Sequence, residues 1–387
     1  MFSEQKHFTL KPLEFDLFCG MDVDKKRISI TFVSHDGFVK SFTIPYNSSN
    51  LIAYVHRHYP DKRIAFVYEA GPTGFGLYDD LIRSGFVCLV IAPSQISRSA
   101  AERIKTNRLD SRKLAEDLRG GRLKGIHVPN RLYRDLRHLV HLREITVRYQ
   151  AATKVRIKLL LLLEGIQFPA TTKERWSLAA LARLRLLQTG SEIRFKLDRY
   201  LATLDFNKQQ LQSINKELTV FSKKDPDLWN CLNLLCTIPG IGKVVSIYLM
   251  ARIGDWRYLS SSRQIAHLLG LVPVERSTGD QTRRGGITRM GDATTRNKLI
   301  ESAWMSIRRD PELLEFYQRI KSRNPDDFGS RKAIVAVARK LTTRIYAVLK
   351  YQRPYLIRNF SASGDDPSVN SIPGSEIPVV RARKRNP

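Results

Sequence analysis

The hydrophobic period of the chain switches to helical spacing and back twice within its first 92 residues, and that pattern limits the folds open to it. Phe15 to Val23 is a largely apolar run with Asp22 near its end. Arg27 to Ser34 alternates, and after His35-Asp36-Gly37 so does Val39 to Tyr46. Alternation on both sides of a short polar turn predicts a hairpin. Helical spacing follows at Asn50 to Tyr59, then a β-branched and aromatic run at Arg63 to Ala70 that reads as a buried strand. Gly74 to Ser84 is helical again, and Phe86 to Ala92 is a last buried strand. Three meandering strands, then helix, strand, helix, strand, predict an α/β domain over residues 1–129, a mixed sheet flanked by helices.

The rest of the chain is helical in pattern. Leu132, Leu136, Leu139, Leu142, Ile145, Tyr149, Ala152, Val155 and Leu159 recur at three- and four-residue steps, as do Ile193, Leu197, Tyr200, Leu204, Leu211, Ile214, Leu218 and Phe221. Both sets predict long amphipathic helices across 130–225. They close on each other as a hairpin or on another protomer as a coiled coil. Arg134, Arg137, Arg143, Arg148, Lys154, Arg156 and Lys158 line the polar side of the first helix. That side is a solvated face or a nucleic-acid contact, and the sequence leaves both open.

Residues 226–352 read as a mostly helical domain. Around Pro239-Gly240-Ile241-Gly242-Lys243 one helix passes through a tight turn into another, similar to a helix-hairpin-helix. Such a turn offers backbone N–H groups at Gly240, Gly242 and Lys243 to a nucleic-acid phosphate; its alternative is a plain compact turn. The stretch Leu271 to Gly291 reads as a loop. In it Ser277-Thr278-Gly279 precedes Arg283, Arg284 and Arg289, and Arg296 follows on the next helix. A serine hydroxyl needs a base, a metal or charge stabilisation to act as a nucleophile. The arginines suit the last of these, by balancing charge on a pentacovalent phosphorus. By itself such a loop is more often a turn. From 353 onward the chain turns rich in Ser, Pro, Gly and Asp and ends on Arg381-Ala-Arg-Lys-Arg, which predicts a disordered tail with a basic tip.

Charge narrows the partner. Sixty-five Lys and Arg against 37 Asp and Glu leave a formal charge of +28. That self-repulsion calls for a polyanion, with nucleic acid first, because phosphate neutralisation releases counterions. The basic residues are spread through the folded regions instead of beside an apolar anchor, which argues against a membrane surface. No run reaches the roughly 18 apolar residues of a membrane span. Cys19, Cys88, Cys231 and Cys236 show no metal spacing and read as free thiols of a reducing cytoplasm. A soluble, cytoplasmic protein is expected.

Three acids complete the candidate chemistry. Asp22 and Glu69 fall at strand ends, and Asp110 opens a long helix with Lys105, Arg108 and Arg112 about it as nucleic-acid contacts. Carboxylates so placed can converge on Mg²⁺, a hard cation that takes oxygen ligands. Each also has a plain reading: a turn residue, a lysine partner, a helix cap.

The segments Gly20-Met-Asp22-Val-Asp-Lys25, Tyr68-Glu69-Ala-Gly71-Pro-Thr-Gly74 and Lys105-Thr-Asn107-Arg-Leu-Asp110-Ser carry a resemblance. Gly270-Leu-Val-Pro273, Ser277-Thr278-Gly279 and Gly285-Gly-Ile-Thr288-Arg-Met-Gly291 extend it. Together they resemble the DEDD-type insertion-sequence transposases, bridge-RNA-guided serine recombinases with a RuvC-like (ribonuclease H-like) N-terminal domain. The resemblance implies that Asp22, Glu69 and Asp110 are the first, second and fourth acids of a Mg²⁺ site and that Ser277 is the nucleophile. It further implies a coiled-coil linker, a homo-oligomer, donor and target DNA, and a structured guide RNA. One position departs: the third acid is Asn107, which offers an uncharged oxygen. Either Glu116 or Asp117 compensates, or the metal site is weakened. Two rivals stand beside this reading: a metal-dependent, junction-resolvase-like nuclease using the acids alone, and a non-catalytic nucleic-acid binder.

Overall fold

The computed structural model describes residues 10–93, 107–168, 176–278, 281–323 and 328–357. The strands expected near the N-terminus form one five-stranded sheet: β1 (Leu17–Val23), β2 (Arg27–Ser34), β3 (Val39–Pro45), β4 (Ile64–Glu69) and β5 (Val87–Ile91). Their order is β3-β2-β1-β4-β5. β1, β2 and β3 pair antiparallel, while β4 runs parallel to both β1 and β5. Parallel neighbours need a crossover longer than a tight turn. Helices α1 (Ser48–His58) and α2 (Gly76–Arg83) fall in the two stretches of chain that lead to β4 and β5. This is the expected mixed α/β sheet of ribonuclease H-like type.

Successive side chains of a strand point to opposite faces, and the core divides accordingly. Cys19, Met21, Ile30, Phe32, Phe66 and Tyr68 form one core with Leu51 and Val55 of α1 and Leu77 and Leu81 of α2. Phe18, Ala65, Val67, Leu89 and Ile91 form the other with Leu114 and Leu118 of α3 (Asn107–Arg119). Gly20 sets how closely α3 approaches. A Cβ there would lie 2.0 Å from the Ser111 carbonyl oxygen and 2.5 Å from the Ala115 nitrogen, so backbone meets backbone. One residue pair seals the contact: the buried Thr31 and Ser111 hydroxyls are 2.8 Å apart.

Two 33-residue helices follow, α4 (Arg131–Leu163) and α6 (Ser191–Lys223), with α5 (Leu178–Leu186) between them. Ile157, Leu160 and Leu161 of α4 pack with Leu181 and Leu184 of α5 and with Leu197, Leu201 and Leu204 of α6. Of the two packings left open by the sequence, the chain shows the hairpin. Four arginines of the basic side of α4, left open by the sequence, have partners within the chain. Arg134 pairs with Asp79 of α2 at 2.7 Å, and Arg143 donates to Asn215 at 2.8 Å. Arg148 is held by Glu144, and Arg137 donates to the carbonyls of Ala251 and Arg252. The guanidiniums of Arg134, Arg137 and Arg143 tie α4 to the rest of the fold, whereas Arg148 is paired along its own helix and stays exposed.

The C-terminal part packs α7 (Pro226–Cys236), α8 (Lys243–Ile253), α9 (Ser262–Leu268), α10 (Ala293–Ser306), α11 (Pro311–Ser322) and α12 (Gly329–Tyr351). Leu228, Leu235, Leu249, Leu299, Leu341 and Ile345 fill their shared core. Between α9 and α10 the expected loop is instead an antiparallel ribbon of β6 (Pro273–Thr278) and β7 (Gln281–Ile287). The expected tail beyond residue 357 lies outside the described residues. No described helix is long and apolar enough to cross a membrane. Cys19, Cys88 and Cys231 are buried and Cys236 is exposed, all as free thiols. Burial raises the pKa of Cys19 and Cys88, which keeps both neutral inside the sheet domain.

Candidate functional site

The sheet register brings two of the expected acids together. Met21 of β1 pairs with Tyr68 of β4, so Asp22 and Glu69 occupy the next rung. Counting in twos from Phe18 and Gly20, and from Ala65 and Val67, places both on the face that α3 covers. Asp110 stands in the first turn of α3, next to Ser111 and its contact with Thr31. All three acids are half-buried. Asp22 and Glu69 thus stand at one end of the sheet on the face that α3 covers, with Asp110 in the first turn of that helix.

This arrangement falls short of a cage. Among the described residues no three His, Cys, Asp or Glu side chains converge closely enough to hold a metal ion. Asn107 and Arg108 are helical in backbone, with side chains outside the described set, and Lys105 lies outside the described residues altogether. The two acids considered as substitutes for the missing one are committed elsewhere. Glu116 pairs with Arg112 at 2.8 Å and Asp117 with Arg122 at 2.8 Å. Arg112, expected on nucleic acid, is therefore held along its own helix, although it stays exposed.

The second candidate centre sits on the ribbon. Ser277 pairs in register with Thr282, Arg276 with Arg283, and Glu275 with Arg284, with a slip near Pro273. The side chains of Ser277, Arg283 and Arg284 are outside the described set. The base of the ribbon is fully visible and tight. Gly270 has φ +63 and Gly291 φ +133; a Cβ at either would meet backbone, 2.7 Å from Met290 O and 2.4 Å from Leu268 O. Arg289 is exposed and holds φ 56, unusual for a side chain of its size. Arg296 requires correction. Expected on nucleic acid, it is 8% exposed and donates to the carbonyls of Leu269 at 3.0 Å and Arg289 at 3.3 Å.

The turn between α7 and α8 has its helices where expected. Gly240 takes φ +87, and a Cβ there would stand 2.3 Å from Ser302 O, so this glycine serves close packing on α10. Gly242 begins α8 with no side-chain cap, leaving the first N–H groups of the helix without a capping oxygen. Lys243 is exposed, its Nζ 4.9 Å from the Trp229 ring centre. An open cavity of about 540 Å³ lies beside this turn, lined by Val244, Val245, Asn297, Lys298, Ser302 and Met305 among others. Burial lowers the pKa of Lys298, whose Nζ sits 4.6 Å from the Tyr248 ring. Lys298 stands out in the sequence only as a basic residue of that helix, and Asn297 was not singled out, because nothing in the spacing distinguishes it from the helix surface.

Comparison with known proteins fits both halves. A family model of DEDD transposases, described simply as transposase, matches residues 19–165. A second, described as the transposase IS116/IS110/IS902 family, matches residues 232–318. A Sinorhizobium fredii protein bearing a transposase name is 34% identical over 249 residues, 63% of this chain and 58% of its own length. The transposase for insertion sequence element IS1533 of Leptospira borgpetersenii is 24% identical over 253 residues, 64% of this chain and 72% of that protein. The pilin gene-inverting protein of Moraxella bovis is 32% identical over 132 residues, 34% of this chain and 40% of that one. The match to the Sinorhizobium relative thus spans less than two thirds of it. With the first model lying over the acid-bearing sheet and the second over the turn, the ribbon and α10, the chain belongs to the IS110-type DEDD transposase family.

Proposed function

We propose that this protein is an RNA-guided DNA recombinase that moves an insertion sequence, cutting and rejoining DNA through a covalent phosphoserine at Ser277. The observation that carries the reading is the acid face. Asp22 and Glu69 each follow the last paired residues of β1 and β4, with Asp110 in the helix that covers that face, in the region matched by the DEDD model. The relative named for inverting a pilin gene supports rejoining as well as cutting, because an inverted segment must be resealed.

The serine chemistry balances without an external energy source. The Ser277 oxygen forms a bond to phosphorus, and the bond from phosphorus to the leaving deoxyribose oxygen breaks. The serine proton passes through solvent to that oxygen, which departs as a hydroxyl. A phosphodiester is exchanged for a phosphoserine ester, so a deoxyribose hydroxyl of another strand can reverse the step. Arg283, Arg284 and Arg289 would balance charge on the crowded phosphorus. The acid face, with Asn107 adding an uncharged oxygen, is where a divalent cation, Mg²⁺, would bind and offset phosphate charge. The backbone amides at Gly240, Gly242 and Lys243 would hold a phosphate at the start of α8. Target choice would rest on base pairing with a structured RNA, leaving the protein to recognise shape and backbone. Exchange between two duplexes calls for more than one copy of the chain.

A covalent-trapping gel tests this. Protein, the RNA that co-purifies with it, Mg²⁺ and target DNA are mixed, denatured and resolved. A protein–DNA adduct that disappears in Ser277→Ala is the expected result. Cutting that survives Ser277→Ala would assign the chemistry to the acids alone. Neither cutting nor adduct with the cognate RNA present would leave a binding protein. Sequencing the co-purified RNA tests guidance separately; a random sample of cellular transcripts would count against it.

A further inference from the structure

We infer that Arg296 is a positioning residue: its buried guanidinium ties together both ends of the ribbon that carries Ser277 and so fixes where the serine is presented. The inference rests on the serine reading above. A two-stranded ribbon is marginal by itself in water, so its direction is set where it joins the helical core. The outgoing strand leaves α9 through Leu269 and Gly270, and the returning strand enters α10 through Arg289, Met290 and Gly291. Arg296, on the first turn of α10, reaches both. Its NH1 group donates to Leu269 O on the outgoing side and to Arg289 O on the returning side.

Further bonds close the same base beside those two carbonyls. The amides of Thr288 and Arg289 donate back across the base, to Val272 O at 2.8 Å and Gly270 O at 3.2 Å. The Asp292 amide donates to Leu268 O at 3.3 Å, and the Asp292 carboxylate caps α10 by accepting from Thr294 N at 3.0 Å. Arg289 keeps a left-handed φ of 56 that its own carbonyl bond to Arg296 helps to hold. Gly270 and Gly291 allow no side chain at the crossing. The result is a rigid base under a strand whose tip carries the reacting hydroxyl. Alignment of a nucleophile within a fraction of an ångström is what such a base provides.

Among the described residues the guanidinium meets carbonyl dipoles and forms no ion pair with a carboxylate. An apolar replacement of similar length would therefore free two carbonyls without stranding a charge. The test compares full-length wild type, Arg296→Met and Arg296→Lys in three measurements: amide hydrogen exchange, nucleic-acid affinity and adduct formation. In Arg296→Met, peptides covering 269–291 should exchange about tenfold faster while those of the N-terminal sheet stay unchanged. Adduct formation should fall by about tenfold or more, with nucleic-acid affinity and its salt dependence kept. Arg296→Lys, which keeps a donor, should recover part of both. If Arg296→Met does not fold, the Arg296→Lys protein decides, by faster ribbon exchange and slower adduct formation than wild type. Unchanged exchange in the ribbon overturns the inference, as does an unchanged adduct rate beside a looser ribbon. A fall in affinity with a shallower salt dependence would show a phosphate contact instead. If wild type and Ser277→Ala form adduct equally, the serine reading fails, and the exchange data then report on the ribbon base alone.

Discussion

At the scale of single residues, Gly20 explains why the acids share a face at all. Its hydrogen lets the α3 backbone come within contact of β1, and Asp110 rides in on that contact. Gly20→Ala places a methyl 2.0 Å from Ser111 O, and neither partner is a side chain that can swing away. The expected cost is about 3 kcal/mol, the upper part of the range for overpacking, read as a lowered melting temperature. Gly71→Ala is the control, since its nearest neighbour would be 3.9 Å away and the change should be nearly silent. A melting point unaltered by Gly20→Ala would mean that α3 does not sit so close. Asn107 poses the complementary question. Asn107→Asp restores a charge to a face that already holds three acids, and divalent-ion affinity should rise by about tenfold in calorimetry, because ligand charge tunes such sites. An unchanged affinity would remove Asn107 from the ligand set.

Elements differ in how much of them the sequence shows. β1, β2, β4 and β5 were legible because each buries a face, and burial imposes alternation or an unbroken apolar run, while β3 showed only the alternation of its half-buried Phe42 and Ile44. The ribbon was not. Glu275, Arg276, Ser277 and Thr278 oppose Gln281 to Arg284, so no apolar face marks the pairing. The signal present was the spacing: two residues, Gly279 and Asp280, separate Thr278 from Gln281, a length and composition that suit a hairpin. Likewise the sequence shows that the polar side of α4 is basic but not what it meets. Arg137 reaches the carbonyls at the end of α8, where a cation offsets the helix dipole, and burial, with Arg252 nearby, lowers its pKa. Arg137→Met should cost about 2 kcal/mol, while Arg156→Met on the exposed side should cost almost nothing. Urea unfolding of the two proteins checks this, and equal midpoints would refute it.

Between α11 and α12 the same approach gives a pH dependence. Glu312 is held below its ordinary pKa by its hydrogen bond from Lys340, with Arg344 adding to it. A depressed carboxylate contributes stability that is present above its unfolded pKa and is lost as pH falls through the folded value. Denaturation midpoints of wild type and Glu312→Gln should therefore converge below the ordinary glutamate range and separate above it. Midpoints that stay equally far apart at every pH would show that the charge of Glu312 contributes nothing.

For the whole molecule, the formal charge of +28 overstates what nucleic acid meets. Arg134, Arg137 and Arg143 are engaged by the fold, and Arg296 is buried at the ribbon base. The cations proposed to meet phosphate, Lys243, Arg283, Arg284 and Arg289, lie on the α8 turn and the ribbon, both within the span of the second family model. Counterion release turns this division into a measurement. Each phosphate neutralised on duplex DNA contributes about −0.9 to the slope of log affinity against log salt, so four contacts contribute about −3.6. Replacing Arg283, Arg284 or Arg289 by Gln should flatten the slope by about 0.9 each. Arg134→Gln, Arg137→Gln and Arg296→Met remove as much formal charge apiece and should leave the slope where it was, even where they lower stability. Titrations across salt in matched proteins separate the two groups. A slope that follows total charge irrespective of position would mean that the molecule attracts DNA as a diffuse cation. A slope that follows only the ribbon and the α8 turn would locate the phosphate path beside Ser277.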